Sequence, residues 1–316
     1  EPVFSAPQET RRRLHHHFAT QFARFAVDHR LLLYPVRTIR RKNVFEAALI
    51  TMLQDDPSSL IVTLPGVSQA EKKYSQMVQH AFQDGTIPGL WGVGTQLDQA
   101  GVSFDQLQEA SDAIVSSSVQ EGFGYQFITP LLQGKPLIAR RLDVARDVEP
   151  LYQDQPHALY ESVVVPATSP SLSGPQALLR FRYTERIDRL AGFLPEDLVN
   201  ILHERVAQMV QNDTIDFSYL LPHMQYTYLK DLNSDTAFRR EVQTANRDLL
   251  QRITTAVTTS TKPATAEVEA SFGLASFASR LDQILTRAWD SAATGNPEEQ
   301  ILRSFATMEY QRLLYE

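Results

Sequence analysis

Residues 31–165 predict an α/β protein built on a doubly wound, mostly parallel sheet, with a mainly helical region after it. Three observations carry this. Short apolar runs recur along the segment, as in LLLYPV and LIVTL. A stretch with helical spacing follows most of them, which is the pattern of βα units. At Pro166 to Pro175, PATSPSLSGP, a Ser/Pro-rich linker intervenes, and beyond it the apolar residues recur at helical intervals.

In order, residues 1–30 form a leading helical segment, with helical spacing from Gln8 to Val27 and a turn at Asp28-His29-Arg30. Leu31 to Val36 is the first strand, because an unbroken apolar run suits a parallel strand buried on both faces. Asn43 caps a helix that starts at Val44 and closes at Asp55-Asp56-Pro57. Leu60 to Leu64 is a second strand, Glu71 to Gln83 a helix, and Leu90 to Val93 a third strand. Ser103 caps a short helix over Phe104 to Ser111, and Ala113 to Ser116 is the fourth strand. Phe127 to Gln133 is a helix that stops at Gly134; Leu137 to Ala139 and Glu161 to Val165, ESVVV, are the fifth and sixth strands. The sheet domain is expected over 31–165. A helical insertion over 176–255 holds helices at Leu178 to Leu190, Pro195 to Gln211 and about Ser218 to Asp231. C-terminal helices occupy 268–316, at Phe272 to Arg287 and Glu298 to Tyr315.

Composition excludes several functions. A net charge of −7 argues against a general nucleic-acid binder. Zero cysteine removes disulfides, thiolate metal sites and thiol nucleophiles, and fits a cytoplasmic protein. No apolar run approaches the ~20 residues a membrane-spanning helix needs. The first residues, Glu1-Pro2-Val3-Phe4, are neither a start methionine nor a signal peptide, so the chain is expected to begin inside a longer protein. His15, His16 and His17 point different ways on a helix and make no metal site.

Charge is uneven, however. Residues 1–45 hold nine basic side chains against three acidic ones, which suggests a small anionic ligand. Arg37 leaves the first strand and Lys42 stands at the mouth of the next helix. Both reach the carboxyl edge of the sheet, where open α/β sheets bind ligands. A guanidinium and an ammonium there form a diphosphate clamp. Arg40 and Arg41, like Arg11 to Arg13, are read as solvated charges. Glu121-Gly122-Phe123-Gly124 lies between the fourth strand and its helix. Its glycines allow close backbone approach, and the helix N-terminus suits phosphate. Tyr34 and Trp91 read as core or pocket-wall aromatics, Ser116 to Ser118 as a strand end with loop capping, and Arg140-Arg141 as facing either crevice or solvent.

With LLLYPVRTIRRKN, EGFG and Gly134-Lys135-Pro136 together, the chain resembles the C-terminal, donor-binding domain of GT-B-fold retaining glycosyltransferases of family 4 (group 1). The resemblance covers about 25–165 and resumes at Phe272 to Trp289. It implies a Rossmann-like half that binds a nucleotide diphosphate sugar and transfers a hexosyl group with retention, without a metal or other cofactor. By resemblance, Arg37 and Lys42 hold the diphosphate and stabilise its leaving charge. Glu121 orients the donor sugar, and Gly122, Phe123 and Gly124 pack against sugar and phosphate. Thr129 stands where the family places a second Glu for the ribose. The acceptor would sit on an N-terminal domain absent from this chain, so the isolated chain is expected to bind donor without turnover. The alternative is a degenerate, non-enzymatic module whose helical region docks a partner. A dinucleotide oxidoreductase is disfavoured, since no G-x-G-x-x-G follows the first strand.

Overall fold

A computed structural model describes residues 5–22, 24–122, 124–209, 213–290, 298 and 301–303. Its centre is a six-stranded, all-parallel sheet of β1 (Arg30–Arg37), β2 (Ser58–Leu64), β3 (Gly89–Trp91), β4 (Ala113–Ser116), β5 (Leu137–Arg140) and β6 (His157–Tyr160). The strand order is β3-β2-β1-β4-β5-β6. The chain first winds outward from β1 to β3, then crosses back to β4 and winds the other way. The switch point therefore lies between β1 and β4, and the sheet is doubly wound as the alternation implies.

Burial explains why these strands are readable in the sequence. Leu31, Leu32, Leu33 and Tyr34 of β1 have no exposed surface, because helices cover both faces of the sheet. All ten residues of α2 (Val44–Leu53) are buried as well. A helix apolar on nearly every side must be enclosed. One side of α2 meets the sheet; the other meets α8 (Pro222–Ser234) and α9 (Thr236–Ala245) of the helical region, whose α10 (Arg247–Thr258) packs on β6. The helices of 222–258 thus form an outer layer on the sheet, while α6 (Gln176–Leu190) and α7 (Glu196–Ala207) pair as a hairpin.

Several elements differ from the sequence reading. The leading helix, α1 (Ala6–Phe18), ends nine residues early, and Phe22 and Phe25 reach the core from a loop instead. Arg11 is no solvated charge. It donates to the carbonyls of Ala110 (2.8 Å) and His29 (3.1 Å) and pairs with Asp112 at 2.8 Å, tying α1 to the start of β4. The sixth strand is His157–Tyr160; the β-branched run after it forms β7 (Val164–Pro166), which pairs antiparallel with β8 (Thr214–Asp216). High β-propensity marks a strand but does not say which sheet it joins. Gly273 splits the expected helix at 272–287 into α11 (Thr265–Phe272) and α12 (Leu274–Asp290). The expected helix at 298–315 lies almost wholly outside the described residues. No described helix is long and apolar enough to cross a membrane.

Gly134 ends α5 (Tyr125–Gln133) in the left-handed region, φ +59°. A Cβ there would lie 2.8 Å from the Pro263 nitrogen and 2.9 Å from the Lys262 carbonyl carbon. Both the backbone conformation and the packed neighbour oppose any side chain. Gly134→Ala is expected to cost about 1–3 kcal/mol, read by chemical denaturation. A loss below measurement would mean that the 262–263 segment yields freely.

Candidate functional site

The carboxyl ends of β1 and β4 each feed a loop, and the two loops are laced together. β1 leads through Arg37-Thr38-Ile39 into a single 3-10 turn, Arg40–Lys42, and then into α2. Asn43 makes that junction in the left-handed region, φ +47°, which Asn tolerates better than most residues. β4 ends at Ser116, and Ser117 to Gly124 runs on to α5. Tyr34 hydroxyl donates to the Lys42 carbonyl at 2.7 Å and lies 2.8 Å from Ser118 Oγ. Ser117 Oγ donates to the Asn43 carbonyl at 2.9 Å, and the Val119 amide to the Arg41 carbonyl at 2.9 Å. Burial pushes the Tyr34 phenol up, so at neutral pH it stays a hydroxyl.

The charged groups gather on this frame. Glu121 accepts from both neighbouring cations: Lys42 Nζ pairs with Oε1, and Arg41 Nη1 meets Oε2 at 3.0 Å. The Glu121 side chain is only 8% exposed and Lys42 11%, whereas Arg41 is 35% exposed. Burial lowers the Lys42 pKa. Glu121 opposes that, while Arg41 and Arg37 add to the lowering. Arg37 is therefore near enough to be felt by Lys42, but its own partner is Glu71 at 3.3 Å, in the first turn of α3 (Gln69–Gln83). Gly122 is exposed, and a Cβ on it would meet no heavy atom within 4 Å. Gly124 caps α5 with φ +76°. Thr129 Oγ1 donates back to the Tyr125 carbonyl at 3.0 Å, inside its own helix. Phe123 lies outside the described residues.

The structure thus brings Lys42 directly onto Glu121, sets Arg37 nearby, and leaves Thr129 bonded within α5. Sequence reasoning misses Arg41, which reads as a solvated charge though it binds Glu121 and, at 3.0 Å, the Gln120 carbonyl. Its place in the run Arg40-Arg41-Lys42 is the available signal, but only the fold says which of the three turns inward where.

Arg40 is not solvated either. It is 1% exposed and donates to Asn43 Oδ1 (3.1 Å) and to the carbonyls of Leu220 (3.3 Å) and Ser218 (3.4 Å). Asn43 Oδ1 also accepts from Gln225 at 3.0 Å, and its amide donates to Glu46 at 3.0 Å. Arg140 faces neither crevice nor solvent. Its guanidinium is buried between Glu46 (2.7 Å) and Asp216 (2.9 Å), and Tyr160 adds a hydrogen bond to Glu46 at 2.9 Å. Burial works against the Arg140 charge, but Asp216 and Glu46 outweigh it and hold its pKa well above the usual value. This polar network lies beneath the cation turn and joins α2, β5, β6, β8 and α8. Trp91 donates to Thr38 Oγ1 at 2.9 Å at the edge of the same region. Among the described residues no group of three or more His, Asp and Glu side chains is arranged to hold a metal ion.

No protein-family model matches the chain. The chain is 27% identical over 300 residues to mannosylglucosyl-3-phosphoglycerate synthase of Petrotoga mobilis. That alignment takes in 90% of this chain but 55% of the relative, so the chain spans about half the length of the curated relative it matches. A crystal structure of Anabaena Alr3699/HepE in complex with UDP-glucose aligns over 79% of this chain and 55% of that one. At 14% identity and a TM-score of 0.34 this likeness is too loose to bear on fold or ligand. By sequence, the chain is a relative of a glycosyltransferase.

Proposed function

We propose that this chain is the donor-binding half of a retaining, GT-B-type glycosyltransferase that takes a nucleotide diphosphate sugar and needs no metal. The observation that carries the proposal is the cluster of Arg37, Arg41, Lys42 and Glu121 at the β1/β4 switch point, where sheets of this order bind nucleotides. In this reading Lys42 and Arg37 neutralise the diphosphate and stabilise it as it leaves, which is electrostatic stabilisation of the transition state. Glu121 takes the sugar hydroxyls, with Gly122 and Gly124 beside it. Thr129, lacking a carboxylate, contributes at most a neutral hydroxyl to ribose binding. The relative's name specifies mannosyl and glucosyl groups on 3-phosphoglycerate; a hexosyl donor and a phosphorylated acceptor are proposed here on that basis. The acceptor is assigned to a domain outside this chain.

Thermal denaturation with UDP-, GDP- and ADP-sugars at millimolar concentration tests the proposal. A ligand at about 100 times its Kd stabilises by about 2.7 kcal/mol, enough to raise the melting temperature by a few degrees. Absence of a shift with every nucleotide sugar overturns the reading.

One observation favours the alternative of a docking module. In the α6–α7 hairpin Phe181 is 62% exposed and Phe193, in the turn between the helices, 75%. The same screen separates the two readings, because a docking module has no reason to favour one nucleotide base.

A further inference from the structure

We propose that Arg41 is a further ligand for the donor's diphosphate, and that Glu121 holds the anion position between Arg41 and Lys42 until the diphosphate takes it. This rests on the nucleotide-sugar reading above. Both Glu121 oxygens are engaged, one by each cation. Such a carboxylate stands in for a phosphate group: it is a planar, doubly accepting anion clamped by a guanidinium and an ammonium. A diphosphate presents more charge and more acceptor oxygens to the same two donors, so it competes well for them.

The frame does not depend on the carboxylate. The cation turn and the β4 loop are joined by Val119 to the Arg41 carbonyl, Ser117 to the Asn43 carbonyl and Tyr34 to the Lys42 carbonyl. Arg41 itself keeps a hold on the Gln120 carbonyl at 3.0 Å. Glu121 can therefore swing away while its backbone stays in place, and open space lies beside Gly122. Two cations, Arg41 and Lys42, clamp the Glu121 carboxylate, while Arg37 at the end of β1 pairs with Glu71. Exchange would place a polyvalent anion between the two clamping cations and free the Glu121 carboxylate to accept hydrogen bonds from the sugar. Diphosphate entry and sugar recognition are then one coupled event, with Glu121 leaving the cations as it meets the hydroxyls.

Calorimetric titration of the full chain with inorganic pyrophosphate and with UDP, GDP and ADP tests the exchange. Glu121→Gln is expected to tighten pyrophosphate about tenfold, because it removes the competing charge yet keeps the shape. Glu121→Ser should act in the same direction and guards against an artefact of the amide. Arg41→Ala should weaken pyrophosphate about tenfold, while Arg146→Ala, an exposed charge far along the chain, should leave it unchanged. Binding to the wild type that is unchanged or weakened in both Glu121 variants overturns the exchange, and an unchanged Arg41→Ala overturns the ligand role. If nucleotide sugars bind but these variants are flat, only this inference falls. If pyrophosphate and nucleotides bind no variant, the nucleotide-sugar reading itself falls and takes the inference with it.

Discussion

Arg140→Met is expected to destabilise the protein by about 3–5 kcal/mol, the range for removing one partner of a buried ion pair. Arg140 is 1% exposed and closes two carboxylates, Glu46 at 2.7 Å and Asp216 at 2.9 Å. Methionine fills much of the volume but leaves both acids without their cation. The loss should depend on pH in a known sense. Burial already raises the Glu46 pKa and Arg140 opposes it, so the variant raises it further. A carboxyl whose folded pKa exceeds its unfolded value contributes stability that is present at low pH and lost as pH rises through the folded pKa. The deficit relative to wild type should therefore be larger at pH 8 than at pH 5, in urea denaturation at both. A second change, Glu46→Leu, should recover part of the deficit by removing the stranded acid. A pH-independent deficit, or none, would show that Glu46 and Asp216 find other partners.

Lys42→Ala is expected to weaken nucleoside diphosphate binding by about ten- to a hundredfold, from about 1.5–3 kcal/mol for one charge-assisted contact. The effect should exceed that of Arg37→Ala, because Arg37 is 47% exposed and shares itself with Glu71, whereas Lys42 is 11% exposed. The depressed Lys42 pKa adds a second readout. Affinity should fall with rising pH, starting below the ordinary lysine value of 10.5, since a neutral amine cannot balance the diphosphate. In Lys42→Ala that alkaline limb should disappear. Titrations between pH 7 and pH 10 decide it; a variant that keeps both affinity and alkaline limb excludes Lys42 from the binding site.

Much of this architecture is legible in the order of the residues. Strands β1, β2 and β4 are continuous apolar runs, because a parallel strand covered on both faces has no polar side to show. The Arg37 and Lys42 spacing and the Glu121 loop stand out for a different reason: charges and glycines that follow the carboxyl ends of parallel strands lie where open α/β sheets bind ligands. Other residues mislead because local pattern carries no information about burial. Arg11 and Arg40 look like surface charges in sequence, and Arg140 like a charge facing either crevice or solvent, yet each is held by carbonyls or carboxylates far along the chain. Arg140 meets Glu46 94 residues away and Asp216 76 residues away.

The sequence alone determined the doubly wound sheet and the two loops at its switch point, since periodicity and turn chemistry act between near neighbours. Which cation faces Glu121, which strand is sixth, and which arginines are buried were decided only by the tertiary structure. Those outcomes depend on contacts between segments far apart in the chain, where a desolvated charge must find its partner.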